Sequence, residues 1–156
     1  MSMNNYSVYG YGFIFIYNEE LLINKDKLIA FIKKHKSTFC KSETETELYN
    51  DMQGLNEYDL KDLFENYCCD NTGIVGIGAV ISNIMTRETG INFGCYPEDL
   101  GCDTPAAIVF LQLFPWQFNE KEKNLTEERL YNICEKYMDE LGLEDKPNWQ
   151  SLEYYG

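Results

Sequence analysis

The stretch Asn71 to Phe93, NTGIVGIGAVISNIMTRETGINF, limits the possible folds more than any other part of the chain. Ile77, Val80, Ile81, Ile84 and Met85 follow the i, i+3, i+4, i+7 spacing of one helical face. Ile74, Val75 and Ala79 add apolar surface elsewhere around the turn, and a helix apolar on most sides is covered on most sides. Thr72 can cap its start, and Gly90 can supply the left-handed residue that ends it. Ile91 to Tyr96 then has extended character. The spacing predicts a buried helix that runs into a strand. Gly73, Gly76 and Gly78 weaken an isolated helix by roughly 1 kcal/mol per interior glycine, but a glycine face permits close backbone approach. The same G-x-x-G-x-G resembles a phosphate-cradling loop. It is not the dinucleotide pattern, and no Lys-Ser/Thr follows, so packing is the preferred reading.

Tyr6 to Tyr17, YSVYGYGFIFIY, reads as a strand. Tyr9, Tyr11, Phe13, Phe15 and Tyr17 alternate with Val8, Gly10, Gly12, Ile14 and Ile16. Both faces are apolar, which places the strand inside a sheet. Gly10 and Gly12 leave a shallow gap on one face, and the glycine-bearing helix is the element expected to settle there. Asn24 can cap a helix from Lys25 to about Lys36, with Leu28, Ile29, Phe31 and Ile32 as its apolar residues and Lys33, Lys34 and Lys36 at the end where cations suit the dipole. Ser42 with Glu45, or Thr44 with Glu47, has the capping-box form of a helix ending near Met52, broken by Gly54. Asn56 can cap another helix, with Leu60, Leu63, Phe64 and Tyr67 inward. Ile91–Tyr96 and Ala106–Phe114 read as strands joined by an acidic, turn-rich loop, and Trp116 as a packed aromatic at the strand end. Thr126 caps the clearest surface helix, with Leu130, Ile133, Cys134, Tyr137, Met138 and Leu141 as its buried stripe and Gly142 as its stop. Gln150 to Tyr155 can add a last strand.

These elements predict one α+β domain over residues 1–156, a length that suits one core of ordinary size. The order is βαββαβ-like with an enlarged first helical section. Its simplest form is a four-stranded, largely antiparallel sheet covered by helices. No apolar run approaches the ~20 residues of a membrane span, and the first residues lack the charged and apolar regions of a signal peptide. A cytoplasmic location is the resulting expectation.

Charge is the next constraint. The net charge is -13, and it is unevenly placed. Residues 1–41 carry 3 acids and 6 bases, whereas residues 42–70 carry 9 acids and one base. Such a field repels phosphates and anionic lipid and attracts basic surfaces. Direct nucleic-acid binding would need the N-terminal lysines to form a local patch. Glu43, Glu45, Glu47 and Asp51 on one predicted helix, and Glu57, Asp59, Asp62 and Glu65 on the next, are the candidate partner-binding residues. Helical carboxylates at successive turns can follow a basic groove built for nucleic acid. The plain alternative is two solvated amphipathic faces.

Catalytic signals are weak. Cys40, Cys68, Cys69, Cys95, Cys102 and Cys134 form no C-x-x-C and match no zinc framework, so no metal or cofactor is expected. His35, the one histidine, follows Leu28, Phe31 and Ile32 on the same side of its helix. A boundary residue with a satisfied ring is favoured over a catalytic base, because no neighbouring spacing supports a triad.

The segments Tyr9-Gly-Tyr-Gly12, Gly78-Ala-Val-Ile-Ser82 to Glu88, Pro115-Trp116, Leu125-Thr-Glu-Glu128 and Ser151-Leu-Glu-Tyr-Tyr-Gly156 span most of the chain. On these segments it resembles small acidic proteins of Gram-positive gut bacteria and their phages or mobile elements. The resemblance implies an origin, and small acidic phage proteins often inhibit host defence, anti-CRISPR proteins among them. The expected function is therefore inhibition of a host defence nuclease by protein–protein binding, with a basic host protein as partner, rather than enzymatic. The alternatives are a small enzyme using Cys68, Cys69, Asp70 and His35 or paired acids, and a homodimeric scaffold joined through an aromatic patch.

Overall fold

The computed structural model describes residues 5–15, 25–54, 77–97, 106–111 and 118–155. Strand β1 (Asn5–Phe15) is followed by helices α1 (Lys25–Lys34), α2 (Lys36–Phe39), α3 (Glu43–Asp51) and α4 (Ile77–Thr89). Strands β2 (Phe93–Pro97) and β3 (Ala106–Leu111), helix α5 (Glu127–Leu141) and strand β4 (Asn148–Tyr155) complete the order. The class is α+β with an antiparallel sheet, as the sequence pattern predicts. The strand order is β2-β3-β1-β4. β1 pairs with β3 and with β4, so it lies inside the sheet as its pattern predicts.

Strand alternation and register decide which side chains meet the helices. Tyr11 aligns through Phe110 with Phe93, and Phe13 aligns through Ile108 with Cys95. Tyr11, Phe13, Phe93 and Cys95 are all buried in one core cluster with the helical apolar residues. α5 packs against β1, and α4 against β2 and β3. α4 thus packs on the Tyr11 and Phe13 side of the sheet, whereas Gly10 and Gly12 alternate to the other side, so the expected seat for the helix is not used. Residues 71–76, including Thr72, Gly73 and Gly76, lie outside the described residues.

Within α4, Val80, Ile81, Ile84 and Met85 are completely buried. Each such side chain contributes roughly 1.5–3 kcal/mol of hydrophobic stabilisation. The helix ends where Gly90 takes a φ of 73°. A Cβ there would sit 2.6 Å from Lys121 Cδ, so Gly90 also makes room for a neighbouring loop. That loop is anchored by buried Glu122, whose carboxylate accepts the backbone N–H groups of Asn92 at 2.9 Å and Asn119 at 3.0 Å.

Local caps work largely as read. Ser42 Oγ accepts the Glu45 N–H at 3.1 Å, and Thr126 Oγ1 accepts the Arg129 N–H at 3.2 Å. Gly142 is left-handed at φ 75°, and the Leu143 N–H reaches the Met138 carbonyl at 2.9 Å to close α5. The first helix differs from expectation. It stops at Lys34, His35 forms a turn, and α2 starts at once. The His35 carbonyl accepts both the Thr38 and Phe39 N–H groups, at 3.0 and 2.9 Å, and this kink carries Phe39 into the core.

Candidate functional site

The acidic residues of α3 divide into two sets. Glu43, Glu47 and Asp51 are exposed and lie four residues apart. At 1.5 Å per residue they form one row with about 6 Å of rise between carboxylates. Glu45 does not belong to that row. It is 4% exposed, and its carboxylate takes a hydrogen bond from Arg87 Nη1 at 2.8 Å. The same Arg87 nitrogen reaches the carbonyls of Thr38 at 3.3 Å and Phe39 at 3.2 Å, so it ties the end of α2 to α3. The signal for an inward Glu45 was in the spacing: Glu45, Leu48, Tyr49 and Met52 follow i, i+3, i+4, i+7, and all four are buried. Of the other acidic candidates, Glu57, Asp59, Asp62 and Glu65 lie outside the described residues.

A second cluster is built around His35, which is 5% exposed. Its Nδ1 lies 2.7 Å from Glu88 Oε2 on α4, and its Nε2 lies 2.6 Å from Glu140 Oε2 on α5. Glu88 also accepts hydrogen bonds from Thr38 Oγ1 at 2.9 Å and from the Tyr137 hydroxyl at 2.7 Å. Lys34 Nζ reaches the other oxygen of Glu140 at 2.5 Å. The ring packs on Phe31, with centroids 4.6 Å apart. One histidine at the α1–α2 kink thereby joins α4 and α5.

The electrostatics follow from these contacts. Burial pushes the Glu88 carboxyl up, but hydrogen bonds from Tyr137, His35 and Thr38, with the charge of His35, outweigh it and hold the group below the ordinary glutamate value. Glu140 behaves alike: burial pushes it up, and Lys34 and His35 together hold it low. Burial, then the bond to Glu88, pushes the Tyr137 phenol well above its usual value. Both imidazole nitrogens thus face a carboxylate, and the ring is held from two sides. The two carboxylates also stand at opposite nitrogens and do not converge on one point. Among the described residues, no group of three His, Cys, Asp or Glu is arranged to hold a metal ion.

The thiols give no reactive centre among the described residues. Cys95 and Cys134 are buried, and burial pushes both up to about 12, far from the thiolate a nucleophile needs. Cys40 is half-buried and free. Cys68, Cys69, Asp70 and Cys102, like Trp116, lie outside the described residues. Three of the N-terminal lysines make contacts within the fold. Lys34 pairs with Glu140, Lys36 stands 4.8 Å over the Tyr49 ring, and the stem of Lys27 lies over Gly142.

Comparison of the chain with protein-family models, curated proteins and solved structures finds no match. Among the described residues, no helix is long and apolar enough to cross a membrane.

Proposed function

We propose that this protein is a phage or mobile-element inhibitor of a host defence nuclease of CRISPR type, acting by protein–protein binding inside the bacterial cytoplasm. The observation that carries the reading is the row of exposed carboxylates at Glu43, Glu47 and Asp51 on a helix with no basic residue, in a molecule of net charge -13. A cationic groove built for a phosphate backbone attracts such a row, and the attraction raises the rate of encounter. In this reading the whole chain is a βαββαβ plan. Glu57, Asp59, Asp62 and Glu65, which lie outside the described residues, are its further candidate contacts.

The test is an interference assay. A bacterium with an active CRISPR system is transformed with a targeted plasmid, with and without this chain expressed. Recovery of transformants with the wild-type chain, and its loss with Glu43→Lys/Glu47→Lys/Asp51→Lys at equal protein level, supports the reading. Undiminished inhibition by the triple variant rejects the groove-binding mechanism. Failure of the wild-type chain across CRISPR types rejects the function.

A further inference from the structure

Two large apolar side chains of the described residues stand in solvent, and they stand together. Tyr9 is 51% exposed and Trp149 is 37% exposed. Their rings stack with centroids 5.2 Å apart and planes 8° from parallel. Buried Tyr11 meets Trp149 edge-on at 5.5 Å. The register accounts for the arrangement: Trp149 pairs with Tyr11 across β4 and β1, and Tyr9 follows two residues away on the same face. Tyr11 therefore fixes the indole before any ligand arrives, which lowers the ordering cost of binding. β4 is the last strand of the sheet order, so this stack lies at a sheet margin.

The helix packed against this strand is acidic. α5 lies against β1, with Leu130 and Cys134 buried in one cluster with Tyr11, and the Tyr11 phenol is pushed up by burial first and then by groups of α5. Glu127 and Glu128 are both exposed in its first turn, with Arg129 next to them. Across α5 there are five acids and two bases.

We propose that the Tyr9–Trp149 stack, on the sheet face that acidic α5 packs against, docks an arginine-bearing basic polypeptide segment. A guanidinium is flat and weakly hydrated, so it lies on an aromatic face while its N–H groups reach a carboxylate. A lysine ammonium offers only a strongly hydrated point charge. An anionic ligand is repelled by the same field, and so is a second copy carrying another -13. The proposal deepens the inhibitor reading and rests on it for the positive charge of the partner. It adds the side-chain type and a contact surface separate from the α3 row.

Blocked nona-arginine and nona-lysine peptides of equal charge, titrated against the intact protein at fixed ionic strength, test it. The arginine peptide binds roughly two- to fivefold more tightly to the wild type. Tyr9→Ser and Trp149→Ser bring that ratio to about one and leave lysine-peptide affinity in place, while Trp149→Phe retains part of it. Should Trp149→Ser fail to fold, Tyr9→Ser and Trp149→Phe carry the comparison. Glu43→Lys/Glu47→Lys/Asp51→Lys weakens both peptides alike, so that arm reports on the α3 reading alone. Equal wild-type affinities, or an arginine preference that survives both serine variants, overturn the proposal. So does concentration-dependent dimerisation in sedimentation that Tyr9→Ser abolishes, because the occupant is then a second copy.

Discussion

At the scale of single residues, His35 and Glu45 show what a sequence conceals. His35 lies beside Phe31 and Ile32 on an apolar helical side, a spacing that predicts a boundary residue with a satisfied ring; the ring is satisfied, but the residue is buried. Its partners were not legible, because Glu88 and Glu140 lie 53 and 105 positions away and meet it only through tertiary packing. Two predictions belong here. Tyr137→Phe removes a hydrogen bond to an ionised carboxylate and costs about 1.5–3 kcal/mol in urea unfolding, with little change in shape. The second concerns acid. Glu88 and Glu140 are both held below their ordinary value in the folded state. Their contribution is therefore fully present above the unfolded value of 4.5 and is lost as pH falls through the lower folded value. Urea midpoints of the wild type should fall steeply over that acid range. Those of Glu88→Gln/Glu140→Gln should start lower and change less.

At the scale of elements, legibility tracked locality. Thr126, the apolar stripe of α5 and Gly142 are all within one helix, so spacing alone identified start, buried face and stop. The α1–α2 kink was missed because its cause is the burial of Phe39, whereas the lysine run through Lys36 suggested one continuous helix. The capping box at Ser42 marks the start of α3. Ser42 does cap α3, and the Glu45 carboxylate meets Arg87 as well, which no local pattern records. The local caps lead to a paired prediction. Thr126→Ala loses one capped N–H and costs about 1 kcal/mol. Gly142→Ala forces a side chain into the left-handed region at a cost of about 1–2 kcal/mol. The two sites bracket α5 and share no partner, so the double variant should lose the sum to within about 0.5 kcal/mol by thermal or urea unfolding.

At the scale of the molecule, the question is which carboxylates serve the fold and which are free for a partner, and α3 separates the two within one helix. Glu43, Glu47 and Asp51 are exposed, and reversing all three takes the net charge from -13 to -7, two units per reversal. Exposed surface changes of this kind usually shift stability by no more than about 0.5 kcal/mol each. Relief of self-repulsion acts in their favour. Glu45→Gln is a smaller chemical change, yet it removes the negative charge from a buried partner of Arg87 and leaves a neutral amide oxygen to accept its N–H, at about 1 kcal/mol. Unfolding in urea and capture by immobilised polylysine across a salt series, measured together on the two variants, should therefore give opposite patterns. The triple reversal keeps its urea midpoint and loses salt-sensitive capture. Glu45→Gln loses stability and, where folded, keeps capture close to wild type. If both variants changed in the same way, the division of α3 into an inner and an outer set of acids would be wrong. The argument for a dedicated partner-facing row would fail with it.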